Sequence, residues 1–493
     1  MSGLLLFVAL GCCVFVLIRD SRRRGDSSPA LWIATLWMMR CGSRGIDAWL
    51  GGGGTYEEGT IWDQMFLLFT ALAGFGVVYR RWGRVAEVLR QNTPLIIFFA
   101  YMTVSIFWSE IPFDSSKRLF RAYGDLTMAL ILATEARPLE AMKEMFRRCM
   151  IILIPMSVIL AKYYGALGRM HEKNWASDTW IGVATHKNTL GPLCMLAGLY
   201  CFVSLAEAKR KKRLGWLEIL STMRLETVCF AMTLYLFNGN GSDRSVTSIV
   251  AFCLGVLLYL ALGRLRRAPE RISRFLLTIC ILIGIFQVGS SLFLGESVTN
   301  LASDLRGKEE FGYLSGRGDI WAAVIKEANK RPLLGAGYGG FWSPRVIAFM
   351  HERFTWGVAQ SHNGYVEVYA QLGLVGLGIF GFAVLSSVRH AIRLCFKNFE
   401  LGRWRLVLLI CVLFQNYSEA GFPRPTHLMW FTFLLVAVNS FPRRVVDSRK
   451  QNIYRTPSIE SQARQTPGQA THAFMRFGSG LQERRYVGAL LHV

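Results

Sequence analysis

Charge is scarce in this chain. Only 18% of its 493 residues are Asp, Glu, Lys or Arg, against about 25% in an ordinary soluble domain. Two stretches, Ser245–Gly263 and Phe275–Gly295, carry none. Each is long enough to cross a ~30 Å hydrocarbon core, which takes about 20 residues. That excludes a soluble globular enzyme and a disordered chain. It also excludes a transmembrane β-barrel, whose strands alternate apolar and polar over about 10 residues. Metal motifs are missing too: the sequence has no CxxC zinc site, and its outer loops hold no DxD and no HExxH. The 11 cysteines lie almost all within or beside apolar runs and none falls in the longest polar loop, so no disulfide framework is expected and the thiols read as small buried hydrophobes. No internal repeat stands out. The first apolar run, Gly3–Ile18, precedes its arginines (Arg19, Arg22, Arg23, Arg24), the reverse of a signal peptide, and reads as a retained helix.

What is present is a series of apolar segments separated by basic loops. They fall near 3–18, 29–40, 61–79, 94–108, 119–134, 149–164, 188–206, 225–238, 246–262, 275–294, 364–388, 406–422 and 427–441. The expected fold is an all-α polytopic membrane protein with about 12 to 13 transmembrane helices and one long structured loop. The net charge of +23 would suggest nucleic acid in a soluble protein, but no nucleic-acid motif accompanies it and none is expected to bind. The bases instead collect at Arg19–Arg24, Arg80–Arg90, Arg137–Arg148, Lys209–Arg213, Arg264–Arg274, Arg389–Arg405 and beyond Arg443. With 13 helices every cluster falls on one face, which the positive-inside rule makes cytoplasmic. The expected organisation is helices 1–10 over 1–294, a large outer loop over 295–362, helices 11–13 over 363–441, and a basic, disordered cytoplasmic tail over 442–493. Within the loop, Ile320, Trp321, Val324, Ile325 and Ala328 share one helical face, and that helix should stop before Pro332. Trp342 and Trp356 are candidate lipid-interface anchors.

Basic residues on the outer side run against the sorting rule, and some single exceptions are only solvated charges. Arg118, Lys187, Arg244 and His362 nevertheless share a position: each sits just before, or at the start of, a helix running inward. A helix N-terminus offers free N–H groups and the positive end of the dipole, and with arginine it makes an anion site suited to phosphate. Ser242 and Ser245 flank Arg244 with hydroxyl donors. His362, in Ser361-His362-Asn363-Gly364, has the character of a general base; a capping histidine that only hydrogen-bonds is the structural alternative. Asp319 and Glu367 fit either a helper role or a structural one.

At these residues the chain resembles the O-antigen ligase and exopolysaccharide polymerase superfamily of bacterial inner-membrane proteins. The resemblance rests on the ordered block Ser315-Gly316-Arg317-Gly318-Asp319-Ile320-Trp321, Arg331-Pro332-Leu333-Leu334-Gly335-Ala336-Gly337-Tyr338-Gly339, His362-Asn363-Gly364-Tyr365-Val366-Glu367 and Leu372-Gly373-Leu374-Val375-Gly376. Thr185-His186-Lys187-Asn188, Gly241-Ser242-Asp243-Arg244-Ser245 and the early Gly42-Ser43-Arg44 extend it, over roughly 30–440. It implies a GT-C-like, metal-independent, inverting glycosyltransferase without a cofactor. The donor would be an undecaprenyl-pyrophosphate-linked glycan and the acceptor a saccharide, either lipid A-core or a growing polysaccharide. By the same resemblance, Arg244 and Arg317 hold the pyrophosphate and His362 is the base. Arg118, His186, Lys187, Asn188, Ser242, Tyr365 and Glu367 are then candidate substrate contacts. The aspartate between Ser242 and Arg244 departs from the usual adjacent pair. A reading from another class, a transporter of polysaccharide or lipid-linked glycan, also suits many helices and a basic outer face. Transporters favour repeated halves and mid-membrane ionisable sites, and turnover of a lipid-linked donor by the purified chain separates the two.

Overall fold

The computed structural model describes residues 2–24, 27–49, 60–170, 178–212, 215–240, 244–264, 266, 312–354 and 357–439. The apolar run 275–294, Ser242, Trp356 and the tail from 442 lie outside them. The helices are α1 (Ser2–Arg24), α2 (Leu31–Cys41), α3 (Ile46–Trp49), α4 (Ile61–Arg80), α5 (Trp82–Gln91), α6 (Thr93–Ser105), α7 (Pro112–Ala133), α8 (Pro138–Tyr163), α9 (Gly165–Gly168) and α10 (Lys187–Lys212). They continue as α11 (Trp216–Thr222), α12 (Arg224–Asn238), α13 (Val246–Arg264), α14 (Gly312–Ala328), α15 (Pro344–Arg353), α16 (Gly364–Lys397), α17 (Phe399–Ser418) and α18 (Leu428–Ala437). One feature departs from an all-helical expectation. Strands β1 (Arg169–Met170) and β2 (Thr179–Trp180) pair antiparallel ahead of α10.

Among the described residues, α4, α10, α13 and α16 are long and apolar enough to cross a bilayer, and α2, α6 and α18 are shorter apolar helices. The chain is a multi-pass membrane protein. The spans divide by how they are packed. α4 buries only Asp63, Leu67, Ala71 and Gly74, a single stripe at helical spacing, and turns Leu68, Phe69 and Leu72 outward. α13 does the same with Ser248, Ala251, Gly255, Tyr259 and Leu262. α18 is buried on every side, the pattern of a helix inside a bundle. Its Trp430 and Phe433 stack at 5.5 Å and meet Phe380 and Phe422.

The long loop has its own small core. Ile320, Val324 and Ala328 of α14 pack with Phe341, Trp342, Val346 and Met350, and against Val366, Tyr369 and Ala370 of α16. α14 ends at Ala328, ahead of Pro332 as the sequence requires. Trp342 corrects the expectation of a lipid anchor. It is buried, and its Nε1–H donates to Glu367 Oε1 at 2.7 Å, because a buried indole N–H needs an acceptor and finds one inside the loop core.

The glycine-rich segment 331–340 is a strap across α16. α16 breaks at Gly373, whose φ is +65°. A Cβ there would meet the Leu333 carbonyl oxygen at 2.2 Å, so both the space and the left-handed backbone demand glycine. The N–H groups freed beyond the break donate to the strap: Leu374 N to Pro332 O at 2.9 Å and Val375 N to Leu333 O at 3.1 Å. Ala336 N donates in turn to Ala370 O at 3.1 Å. The two glycine motifs of the sequence are thus the two halves of one crossing.

Candidate functional site

The crossing leads the chain to His362. Ser361 Oγ donates to Asn363 O at 2.8 Å, and Ser361 N donates to Glu367 Oε2 at 3.2 Å. Asn363, not His362, caps α16, its Oδ1 accepting from Tyr365 N and Val366 N at 2.9 and 3.2 Å. Between these fixed neighbours His362 is held at φ +51°, a left-handed conformation that costs a non-glycine residue on the order of 1–3 kcal/mol and concentrates at functional sites. Its side chain is a quarter exposed. Glu419, at the end of α17, sets its Oε2 3.7 Å from His362 Nδ1. The other oxygen, Oε1, accepts from Arg317 Nη2 at 3.0 Å, while Arg317 Nη1 donates to Ser418 O at 2.7 Å. Three separate elements therefore bring a cation, a carboxylate and an imidazole into one line. The carboxylate faces the imidazole across 3.7 Å, near enough to stabilise charge that forms on it during a proton transfer.

His362 and Glu419 line a cavity of about 260 Å³, with His186, Asn188, Gln360, Arg424 and His427. A second cavity of about 230 Å³ shares Thr185, Thr189, Gln360, Ala420, Arg424 and His427 with it. Five arginines line the second cavity (Arg40, Arg44, Arg118, Arg121 and Arg424) against two carboxylates, Asp63 and Glu367. The carboxylates are engaged. Asp63 accepts from Nε and Nη2 of Arg40, each at 2.6 Å. Glu367 accepts from Trp342, Gln371 and Ser361. Arg44 is buried, with its Nη2 donating to the carbonyls of Leu167, Gly182 and Ala184 at 2.6 to 2.8 Å. α9 and the turn after β2 thus hold Arg44 by oxygens that do not cancel its charge, and burial draws its pKa below the ordinary arginine value. Arg118 donates to Gly339 O of the strap. Two histidines cap helices here, His186 in the first cavity and His427 on the shared wall: His186 Nδ1 accepts from Asn188 N at 3.1 Å, and His427 Nδ1 from Met429 N at 3.3 Å. Burial lowers the pKa of His186. Burial, with Arg424 nearby, pushes His427 down to about 3, so the shared wall carries a neutral imidazole.

The O-Antigen ligase family model, Wzy_C, matches residues 228–381. That stretch holds Arg244, Arg317, the strap, His362 and the break at Gly373. The exopolysaccharide production protein ExoQ of Rhizobium meliloti (strain 1021) is 23% identical over 305 residues, covering 59% of this chain and 63% of that protein.

Residues 228–381 are thus similar to the O-Antigen ligase family.

The residues singled out in the sequence separate into three groups. His362, Arg118, His186, Asn188 and Glu367 line the two cavities, and Arg317 reaches the first through Glu419. Lys187, Tyr365 and Arg244 line neither. Tyr365 is buried and donates to Leu413 O at 2.9 Å. Arg244 is exposed at the start of α13, and its Nε donates to Asn238 O at 3.1 Å. Ser242 lies outside the described residues.

Glu419 was not legible as a site residue. It follows an apolar run and lies 102 positions from Arg317, outside the segment the superfamily model covers. Arg40, Arg121, Gln360 and His427 were missed in the same way. Arg44 and Arg424 did carry a signal, as bases on the side where few are expected.

Proposed function

We propose that the chain is a GT-C-like inverting glycosyltransferase of the bacterial inner membrane, with the long loop in the periplasm and the C-terminus in the cytoplasm. It transfers a glycan from undecaprenyl pyrophosphate to a saccharide hydroxyl, by O-antigen ligation or exopolysaccharide polymerisation, without a metal ion. The observation that carries this reading is Glu419, which lies between Arg317 and His362 in a cavity adjoining the arginine-rich one.

In the proposed reaction the acceptor hydroxyl gives its proton to His362 while its oxygen forms a bond to the anomeric carbon. The bond from that carbon to the pyrophosphate oxygen breaks, and the electron pair leaves with undecaprenyl pyrophosphate. A single displacement inverts the anomeric configuration. Glu419 stabilises the imidazolium as it forms. Arg317 faces the charge developing on the leaving group, where preorganised donors contribute most. The resemblance, rather than the geometry, assigns Arg244 to the same pyrophosphate. The donor brings its own leaving group, so no nucleotide is needed. The test is turnover by purified chain given undecaprenyl-pyrophosphate-linked glycan and a saccharide acceptor, with and without EDTA. Product in both arms supports the reading. No product, or product abolished by EDTA and restored by a divalent ion, overturns the mechanism.

A further inference from the structure

The chain between α17 and α18, residues 419–427, forms neither helix nor strand. It nevertheless supplies Glu419, Ala420, Arg424 and His427 to the cavity beside His362. Ala420, Arg424 and His427 also face the arginine-rich cavity, so this turn is part of the partition between the two. A partition without a regular backbone ladder needs other ties. Phe422 anchors its middle, fully buried against Tyr365, Phe380, Trp430 and Phe433. Past Phe422 the backbone has few donors, because Pro423 and Pro425 bring no N–H. The Arg424 amide closes onto Gly421 O at 3.1 Å. Thr426 is held at φ +56°, which a β-branched residue adopts only where its surroundings enforce it.

Two side chains from elsewhere in the fold supply that enforcement. Asp125 of α7, fully buried, accepts from Thr426 N through Oδ2 at 3.0 Å. Its Oδ1 accepts from Trp37 Nε1 of α2 at 2.6 Å. Gly124 makes room for that indole, since a Cβ there would lie 2.5 Å from the Trp37 ring. From the strap, buried Tyr338 donates its hydroxyl to Pro423 O at 3.0 Å, and its own amide donates to Ser105 Oγ at 2.9 Å. The backbone is thus tied on both sides of Arg424, at Pro423 by the strap and at Thr426 by α7.

We propose that Asp125 and Tyr338 form a clamp of two positioning residues for glycosyl transfer. The proposal rests on the transfer reading above and adds to it residues that lie outside the cavity holding His362. With the clamp closed, Arg424 Nη1 stays on Gln360 Oε1 at 3.1 Å and His427 keeps the cap of α18. With either side released the partition can shift, and Glu419, where it begins, shifts against His362.

The test uses three variants of the full-length protein in detergent. Trp37→Phe takes away the other partner of Asp125 and leaves the turn tied. Asp125→Ala and Tyr338→Phe each release one side. Hydrogen exchange over 419–427, measured without substrate, should be about 10-fold faster in the last two, the scale of one lost hydrogen bond, and unchanged in Trp37→Phe. In turnover with undecaprenyl-pyrophosphate-linked glycan and a saccharide acceptor, the same two should lose at least about 10-fold in kcat, as small misplacements do, with donor KM within about two-fold. Trp37→Phe should melt lower yet keep its kcat. A brace that only stabilises the fold predicts instead that kcat follows melting temperature across all three variants, and that result would overturn the proposal. So would unchanged exchange in both clamp variants, or kcat within two-fold of wild type in both. If Asp125→Ala does not fold, Tyr338→Phe, which loses one hydroxyl, decides by the same readings. Exchange needs no turnover: faster exchange in the clamp variants with no product from wild type would leave the clamp standing and discredit the transfer reading.

Discussion

Glu419 Oε2 lies 3.7 Å from His362 Nδ1 while its other oxygen holds Arg317 at 3.0 Å. One carboxylate thus lies against both groups that the proposed reaction uses, His362 as its base and Arg317 as the cation facing the leaving group. Glu419→Gln keeps the shape and removes the charge. Turnover should fall by about 100-fold, since an oriented base contributes ~100- to 10,000-fold, while donor binding changes little. Turnover within a few-fold of wild type, measured on folded protein, would remove Glu419 from the mechanism.

Arg317→Lys keeps the charge and loses the fork. Arginine uses Nη1 for Ser418 O and Nη2 for Glu419, and one ammonium cannot reproduce that geometry. A loss of about 100-fold in kcat/KM is expected, the usual size for one misplaced oxyanion donor. Near-normal kcat/KM would leave Arg317 a general electrostatic contributor.

Replacement of His362 separates catalysis from stability. At φ +51° glycine fits the backbone better than histidine does. His362→Gly should keep or raise the melting temperature yet lose ~100- to 10,000-fold in rate. His362→Ala should lose the same activity. A glycine variant that is active, or one that melts several degrees lower, counts against strain held for function.

His427 makes stability depend on pH. Its folded pKa of about 3 lies below the ordinary ~6.5, so between those values the unfolded chain binds the extra proton. Stability from this group is complete above about 6.5 and declines as pH falls toward 3. His427→Asn keeps an acceptor for Met429 N. Its melting temperature should fall less between pH 7.5 and pH 5 than that of wild type; equal falls would place the sensitivity elsewhere.

Much of this architecture was written in local sequence. The runs at 61–79 and 246–262 appear as α4 and α13 because a lipid-facing span must be apolar along its whole length. The face of Ile320, Val324 and Ala328 reappears as the buried side of α14, since 3.6-residue periodicity is a property of neighbours. Pairings across the chain were not legible. Arg317 and Glu419 are 102 residues apart, and Arg44 meets the turn at Gly182 across 138; no local pattern encodes either. Trp342 misled for a related reason. An aromatic in a polar loop reads as an interface anchor until Glu367 is known to be its acceptor.

Gly373→Ala addresses the crossing directly. The left-handed backbone and the Leu333 carbonyl at 2.2 Å from any Cβ predict a loss of at least about 2 kcal/mol, read as a lower melting temperature and released strap contacts in hydrogen exchange. Unaltered melting would mean that the crossing can rearrange.

That crossing also decides which part of the long loop is able to move. Lifting the strap would take their partners from the Leu374 and Val375 amides and from the carbonyl of the buried Ala370, at about 1–3 kcal/mol for each group left unmatched away from water. The strap is therefore a fixed sill. Any movement of the long loop has to come from elements on either side of it.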